Sequence, residues 1–227
     1  MKKAETPQKA RILIVDDHPM TRGGLIHLIN HQSDTVVCGE AESAAEALDF
    51  LGKSQPDIML IDITLPGKSG LELIKDVKAM HPELPMLVLS MHDESLYADR
   101  VLRAGARGYI TKHEGGDKLM VAIRHVLSGK IYVSESMSAH ILEIFSGGQP
   151  GTDRSSIQSL SDREFEVFQA LGEGLSSHQI AKKLHLSAKT VDAHRANIKT
   201  KLKINTTAEL ISFAARWTTS ESKGNGR

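Results

Sequence analysis

Three short stretches, Ile12-Leu13-Ile14-Val15, Ile58-Met59-Leu60-Ile61 and Met86-Leu87-Val88-Leu89, are apolar at every position instead of alternating. A strand with no polar face has no solvent face, so such runs belong to a sheet covered on both sides. Two more strand signals, Thr35–Glu40 and Gly108–Thr111, complete a set whose full spans are Arg11–Val15, Thr35–Glu40, Ile58–Asp62, Met86–Ser90 and Gly108–Thr111. Between and after them lie amphipathic helical patterns at Met20–Asn30, Ser43–Lys53, Gly70–Met80, Glu94–Ala104 and Asp117–Ser128. Regular alternation of strand and helix requires crossover connections, and crossovers make neighbouring strands parallel. The expected first domain is therefore α/β, a doubly wound five-stranded parallel sheet.

The pattern changes beyond Lys130–Val133. Ser134–Phe145 reads as one further helix, and the next eleven residues, from Ser146 to Ser156, are rich in Gly, Ser and Pro, the composition of a flexible linker. Everything after it is helical. Ser161-Asp162-Arg163-Glu164 is a capping box ahead of Phe165, Val167, Phe168 and Leu171. Ser177–Leu184 and Ala188–Leu202 follow, separated by a three-residue turn with Ser187 as a cap, and Thr207–Trp217 closes a four-helix unit. Two helices joined so tightly inside a small basic bundle make a helix-turn-helix. The expected boundaries are 10–130 for the α/β domain, 131–158 for a connecting helix and linker, 159–218 for the helical domain, and 219–227 for a disordered tail.

Charge separates the same halves. The 227 residues carry 28 basic and 28 acidic side chains, but residues 1–148 hold 16 basic against 20 acidic and residues 149–227 hold 12 against 8. Between Lys182 and Lys203 there are seven Lys or Arg and one acid, Asp192. A basic helical half points to nucleic acid. The longest apolar runs fall far short of the roughly 18 residues of a membrane span, the amino terminus has no apolar signal segment, and the lone Cys38 cannot form a disulfide framework. These features suit a cytoplasmic protein with no membrane partner.

Ligands of open parallel sheets bind at the carboxyl ends of the strands. That edge receives Asp16 and Asp17 after the first strand, Asp62 after the third, Ser90 after the fourth and Lys112 after the fifth. Three carboxylates packed together repel, and a hard divalent cation such as Mg²⁺ relieves the repulsion. A carboxylate beside Mg²⁺ and an ammonium can accept a phosphoryl group, and Asp62 is placed to be the acceptor.

Ile12 to His18, Asp57 to Gly67, Val88 to His92 and Gly105 to Lys112 together resemble the receiver domain of bacterial two-component response regulators. Leu160 to Glu164, Gly174, Ile180-Ala181, Leu184, Ser187, Lys189-Thr190-Val191, His194, Asn197-Ile198 and Lys201-Leu202 resemble the LuxR-type helix-turn-helix, and the whole is similar to the NarL/FixJ subfamily. The resemblance implies that the sheet domain is flavodoxin-like and that a sensor histidine kinase phosphorylates Asp62. It further implies that Asp17, Asp62 and the Thr64 carbonyl hold Mg²⁺ with Asp16 assisting through water, that Lys112 and Ser90 contact phosphoryl oxygens, and that Tyr109 turns inward as a switch. His113 stands where many receivers carry proline, so no cis peptide is expected there. Thr64 and His92, flanking the acids, are expected to tune the phosphoryl lifetime.

On the third helix of the basic half, Val191, Ile198 and Leu202 mark the core side, which leaves Lys189, Asp192, Ala193, Ala196, Lys199, Thr200 and Lys203 opposite. Terminal lysines suit phosphates and the alanines permit close approach in the major groove. Two readings of Asp192 are open: it accepts from a cytosine amino group, or it pairs with Lys189 or Arg195. The resemblance makes Thr190 and His194 phosphate contacts, while the position of His194 near the core side also fits packing. A single small module reads DNA weakly, so a homodimer on double-stranded promoter DNA is the expected partner arrangement. Enzyme readings fare worse: an aspartyl-phosphate phosphatase needs a second acid two residues after the nucleophile, and that position is Thr64; Ser90 lacks the glycines of a nucleophile elbow.

Overall fold

The computed structural model describes residues 9–92, 94–135, 137–139, 142, 156, 157 and 159–223. The described residues form two compact units: those up to His92 together with Arg100–Val133, and Glu94–Asp99 together with those from Ser134 onward.

The first unit contains β1 (Ala10–Val15), α1 (Pro19–Asn30), β2 (Thr35–Ala41), α2 (Ala44–Leu51), β3 (Ile58–Ile61), α3 (Gly70–Met80), β4 (Met86–Ser90), the later part of α4 (Glu94–Ala104), β5 (Gly108–Thr111) and α5 (Gly116–Leu127). All strand pairs are parallel, in the order β2-β1-β3-β4-β5. The chain thus reverses its direction of winding between β1 and β3, which opens a crevice at the carboxyl ends of those two strands.

The all-apolar runs have the predicted cause. Ile12, Ile14, Ile58, Leu60, Leu87, Leu89 and Ile110 pack with Leu25 and Ile29 of α1 and with Leu119, Ile123 and Val126 of α5. The alternate residues Leu13, Met59, Ile61 and Val88 are equally buried on the opposite face, where α2 and α3 bring Ala47, Leu51, Leu71, Ile74 and Val77. Each run is apolar throughout because helices cover it twice. Beyond α5, Tyr132 pairs with the edge of β5, donating to the Arg107 carbonyl and accepting from Tyr109 N–H, each at 2.9 Å.

The helical unit contains α6 (Asp162–Gly172), α7 (Ser177–Lys183), α8 (Ala188–Leu202) and α9 (Thr207–Lys223). Phe165, Phe168, Ile180, Leu184, Val191, Ile198, Leu210, Ala214 and Trp217 are buried in it. The Ser161–Glu164 box caps α6, and an equivalent box of Ser176 and Gln179 caps α7. His185 in the turn before α8 and Lys203 after it both adopt left-handed backbone, with φ of 53° and 56°.

One expectation is corrected. The tail assigned to 219–227 is helical through Lys223, where α9 ends. The Thr218 and Thr219 hydroxyls donate to the carbonyls of Ala214 and Ala215, so these residues satisfy themselves within the helix. Residues 224–227 lie outside the described residues, as do most of the linker 146–156 and part of the predicted helix Ser134–Phe145. No helix among the described residues is long and apolar enough to cross a membrane.

Candidate functional site

The carboxyl ends of β1 and β3 are tied side by side. Asp62 N–H donates to the Val15 carbonyl at 2.8 Å, and Asp16 N–H donates to Ala41 at 3.1 Å. These bonds hold Asp16 and Asp62 in register just beyond the last strand residues, and both side chains are buried. Lys112, one residue past β5, donates its backbone N–H to Ser90 at 2.7 Å and extends its side chain across the strand ends. Its Nζ lies 2.7 Å from Asp16 Oδ2 and 2.6 Å from Asp62 Oδ2.

Three residues distant in the chain therefore form one ionic bridge, in which burial penalises every charge. Burial pushes the Asp62 carboxyl above its ordinary value, against the opposing attraction of Lys112. For Lys112 burial acts downward, but the charge of Asp62 and hydrogen bonds to both carboxylates prevail and raise it, so the ammonium keeps its proton.

Asp17 lies beside this bridge. Ligand atoms of Asp16, Asp17, His18 and Asp62 all fall within 4.8 Å of one another. An oxygen-rich set of this kind fits a hard divalent cation such as Mg²⁺. Arg22, one turn into α1, steadies the loop: its Nη1 donates to the Asp16 carbonyl at 2.7 Å, its Nε to Glu40 at 3.0 Å and its Nη2 to Glu42 at 2.5 Å. Gly70 at the start of α3 lies against the backbone of Asp62 and Ile63, where a Cβ would run into the Asp62 carbonyl oxygen. Only glycine lets the helix approach so closely.

At the end of β4, Ser90 is fully buried and its Oγ accepts from His92 N–H at 3.2 Å. Tyr109 is also buried, and its hydroxyl donates to the His92 carbonyl at 2.8 Å. The His92 ring meets Thr64 Oγ1 at 3.3 Å, while Thr64 N–H donates to Asp62 Oδ1 at 3.2 Å. A continuous chain of contacts thus runs Asp62, Thr64, His92, Tyr109. No cis peptide bond occurs among the described residues, His113 included.

The residues that sequence reasoning assigned to the acidic edge are brought together. What it missed is Arg22, and the junction role of His92. Apart from Asp16, six residues before Arg22, and Ser90, two before His92, their partners stand 17 to 28 residues away, and no local spacing announces those contacts.

In the helical unit, Lys189, Asp192, Ala193, Ala196 and Thr200 are exposed on α8 and Lys203 just after it, with Thr190, His194 and Lys199 half-buried. Asp192 has protein partners: its Oδ1 accepts from Ser177 Oγ at 2.9 Å and lies 3.3 Å from Arg195 Nη1, which in turn donates to Ser177 at 2.5 Å. This favours the pairing reading of Asp192, with Arg195 as the partner, and it braces α8 against the first residue of α7. Thr190 Oγ1 meets Ser187 Oγ at 2.7 Å and so belongs to the cap of α8.

Comparisons with known proteins agree on both units. Residues 12–124 match the response regulator receiver domain, and residues 158–214 match the bacterial regulatory proteins of the luxR family. The chain is 35% identical over 210 residues to the oxygen regulatory protein NreC of Staphylococcus aureus (strain bovine RF122 / ET3-1), covering 91% of this chain and 97% of that one. The NreC of Staphylococcus haemolyticus is 34% identical over the same shares. Among solved structures, RcsB from Salmonella enterica serovar Typhimurium, bound to promoter P1flhDC in the presence of the phosphomimetic BeF3-, superimposes with a TM-score of 0.62 at 26% identity, over 92% of this chain and 100% of that one. A LuxR-family response regulator from Aurantimonas sp. SI85-9A1 is 34% identical with a TM-score of 0.57, over 61% of this chain and 99% of that one. A buried Asp–Lys–Asp bridge on a doubly wound sheet, a braced helix-turn-helix and relatives matching over nearly their whole length place the chain among the NarL/FixJ-type two-component response regulators, a family of DNA-binding transcription regulators and not of enzymes.

Proposed function

We propose that Asp62 is the phosphoacceptor through which a sensor histidine kinase controls promoter binding by this chain. The observation that carries the reading is the bridge of Lys112 between Asp16 and Asp62, which puts one ammonium beside the acceptor oxygen in a buried site. Residues 10–130 form the phosphoacceptor domain, 131–158 connect it, and 159–218 contact DNA, in the cytoplasm.

Asp16, Asp17, Asp62 and the Thr64 carbonyl would hold Mg²⁺, which when bound neutralises the oxygens of the phosphoryl group in transfer. An Asp62 carboxylate oxygen attacks phosphorus, the bond from phosphorus to the kinase histidine nitrogen breaks, and that imidazole nitrogen leaves with the electron pair. Lys112 Nζ, 2.6 Å from Asp62 Oδ2, is within reach of one phosphoryl oxygen. Ser90 Oγ donates to another, which pulls at its bond from His92 N–H and so at the His92 carbonyl that holds the Tyr109 hydroxyl. Two arrangements of Ser90, His92 and Tyr109 give the two-state element that phosphorylation biases.

The output surface is α8. Lys189, Thr190, His194, Lys199 and Lys203 contact phosphates, while Ala193 and Ala196 face the bases. Asp192 acts by holding Arg195 and Ser177. A homodimer supplies two copies of the helix to paired half-sites.

Incubation with a small phosphodonor and Mg²⁺, read by intact mass, tests the acceptor. Wild type gains about 80 Da, the mass of one phosphoryl group on a carboxylate nucleophile, and Asp62→Ala gains nothing. Absence of the adduct in folded wild type would shift the reading to phosphate-independent DNA binding.

A further inference from the structure

The candidate cation cluster includes a nitrogen. His18 Nδ1 lies 2.6 Å from Asp17 Oδ1 and 3.5 Å from Asp16 Oδ1, and His18 offers one ring nitrogen to the group of four ligand atoms that spans 4.8 Å. Donors bound to one small divalent ion at about 2.1 Å each stand up to about 4.2 Å apart, so a small inward movement gathers all four on one centre.

The imidazole is positioned by backbone. Its side chain is 61% exposed, so packing does not hold it. His18 instead precedes Pro19, which confines it to extended backbone, observed at φ −92° and ψ 105°. Its N–H donates to Asp16 Oδ1 at 2.8 Å, turning the chain so that the ring faces the acids. Although His18 is the N-cap residue of α1, its side chain makes no capping bond, and Pro19 at the first helical position needs none.

We propose that His18 Nδ1 is a further ligand of the acidic pocket, giving it a preference for a first-row transition ion over Mg²⁺. The inference rests on the reading of Asp16, Asp17 and Asp62 as a divalent-cation site. Mg²⁺ favours oxygen and keeps its waters, so an added imidazole gives it little. Transition ions gain from the nitrogen, increasingly from Mn²⁺ to Co²⁺. The pocket therefore distinguishes metals by a residue that the phosphoryl chemistry does not itself require.

The test titrates full-length protein with MgCl₂, MnCl₂ and CoCl₂ by calorimetry, and records electron spin echo modulation of bound Mn²⁺ for ¹⁴N coupling. Wild type is expected to show ¹⁴N modulation. The exposed substitution His18→Ala abolishes it, weakens Co²⁺ by about tenfold, and leaves Mg²⁺ within about twofold. Asp17→Asn weakens all three ions, locating them in the acidic pocket. Mn²⁺ bound to wild type without ¹⁴N modulation, modulation that persists in His18→Ala, or an equal loss of Mg²⁺ and Co²⁺ would each overturn the assignment while leaving the cation site intact. Failure of wild type to bind any of the three ions would instead overturn the cation site itself, and this inference with it.

Discussion

Lys112 binds two buried carboxylates with one charge. With its charge present, two buried carboxylates share one ammonium; without it they face each other across the strand ends. Removing one member of a buried ionic group leaves the rest uncompensated, at a cost of about 3 kcal/mol. Lys112→Met is therefore expected to lower the urea midpoint of unfolding, and added Mg²⁺ should restore more stability to this variant than to wild type. Equal Mg²⁺ effects in the two proteins would show that cation and ammonium do not compete for the same oxygens. The acids and Lys112 were legible in the sequence because strand ends in a parallel sheet share one edge, so chain order alone predicts their meeting. Arg22 was not, because its bonds to Glu40 and Glu42 depend on how α1 lies over the end of β2. Tyr109 became visible only through its spacing to Lys112 in the resembling family, since a buried tyrosine on a strand has an ordinary packing role.

At the level of elements, the strands and helices followed closely from periodicity, and the capping box of α6 was plain from Ser161 and Glu164. Ser176 with Gln179 and Ser69 with Glu72 have the same spacing and form the same box, so the signal was present there too. The extent of α9 was harder: Thr, Ser and Glu after Trp217 look like a frayed end, but two threonines bond back to their own helix. Glu164 shows how a cap gathers further duties. The same Oε2 that accepts from Ser161 N–H accepts from Lys201 Nζ at 2.6 Å, tying the end of α8 to the start of α6. Burial alone would raise this carboxyl, but Lys201 and Ser161 outweigh it and hold it below its ordinary value. A depressed carboxyl stabilises the fold above the unfolded-state value and loses that contribution as pH falls through the folded value. The stability difference between wild type and Glu164→Gln, measured by urea unfolding, should accordingly be largest at neutral pH and shrink in acid. A constant difference would assign the effect to the cap geometry alone. The left-handed Lys203 offers a second test at this scale, since glycine accepts that backbone without strain. Lys203→Gly should stabilise the helical unit by about 0.5–1 kcal/mol. It should also weaken promoter binding and reduce the salt dependence by about one phosphate contact. Unchanged salt dependence would remove Lys203 from the DNA surface.

For the molecule as a whole, the neutral sum of charges conceals an acidic sheet-forming half and a basic helical half, a division legible in residue order alone. The chemistry divides in the same way, with phosphoryl transfer assigned to one unit and nucleic acid to the other. Aromatic residues divide too. The chain has one tryptophan, Trp217, with ring centres 5.6 Å from those of Phe165 and Phe168 inside the helical unit, whereas Tyr109 and Tyr132 belong to the sheet unit. Light absorbed selectively by indole thus produces emission from the DNA-contacting half alone. Fluorescence followed through denaturant would report the loss of that half, while far-ultraviolet dichroism reports both. If the two units unfold independently, the curves separate; if they unfold as one, they coincide, and a single native residue serves as the optical reporter in either case.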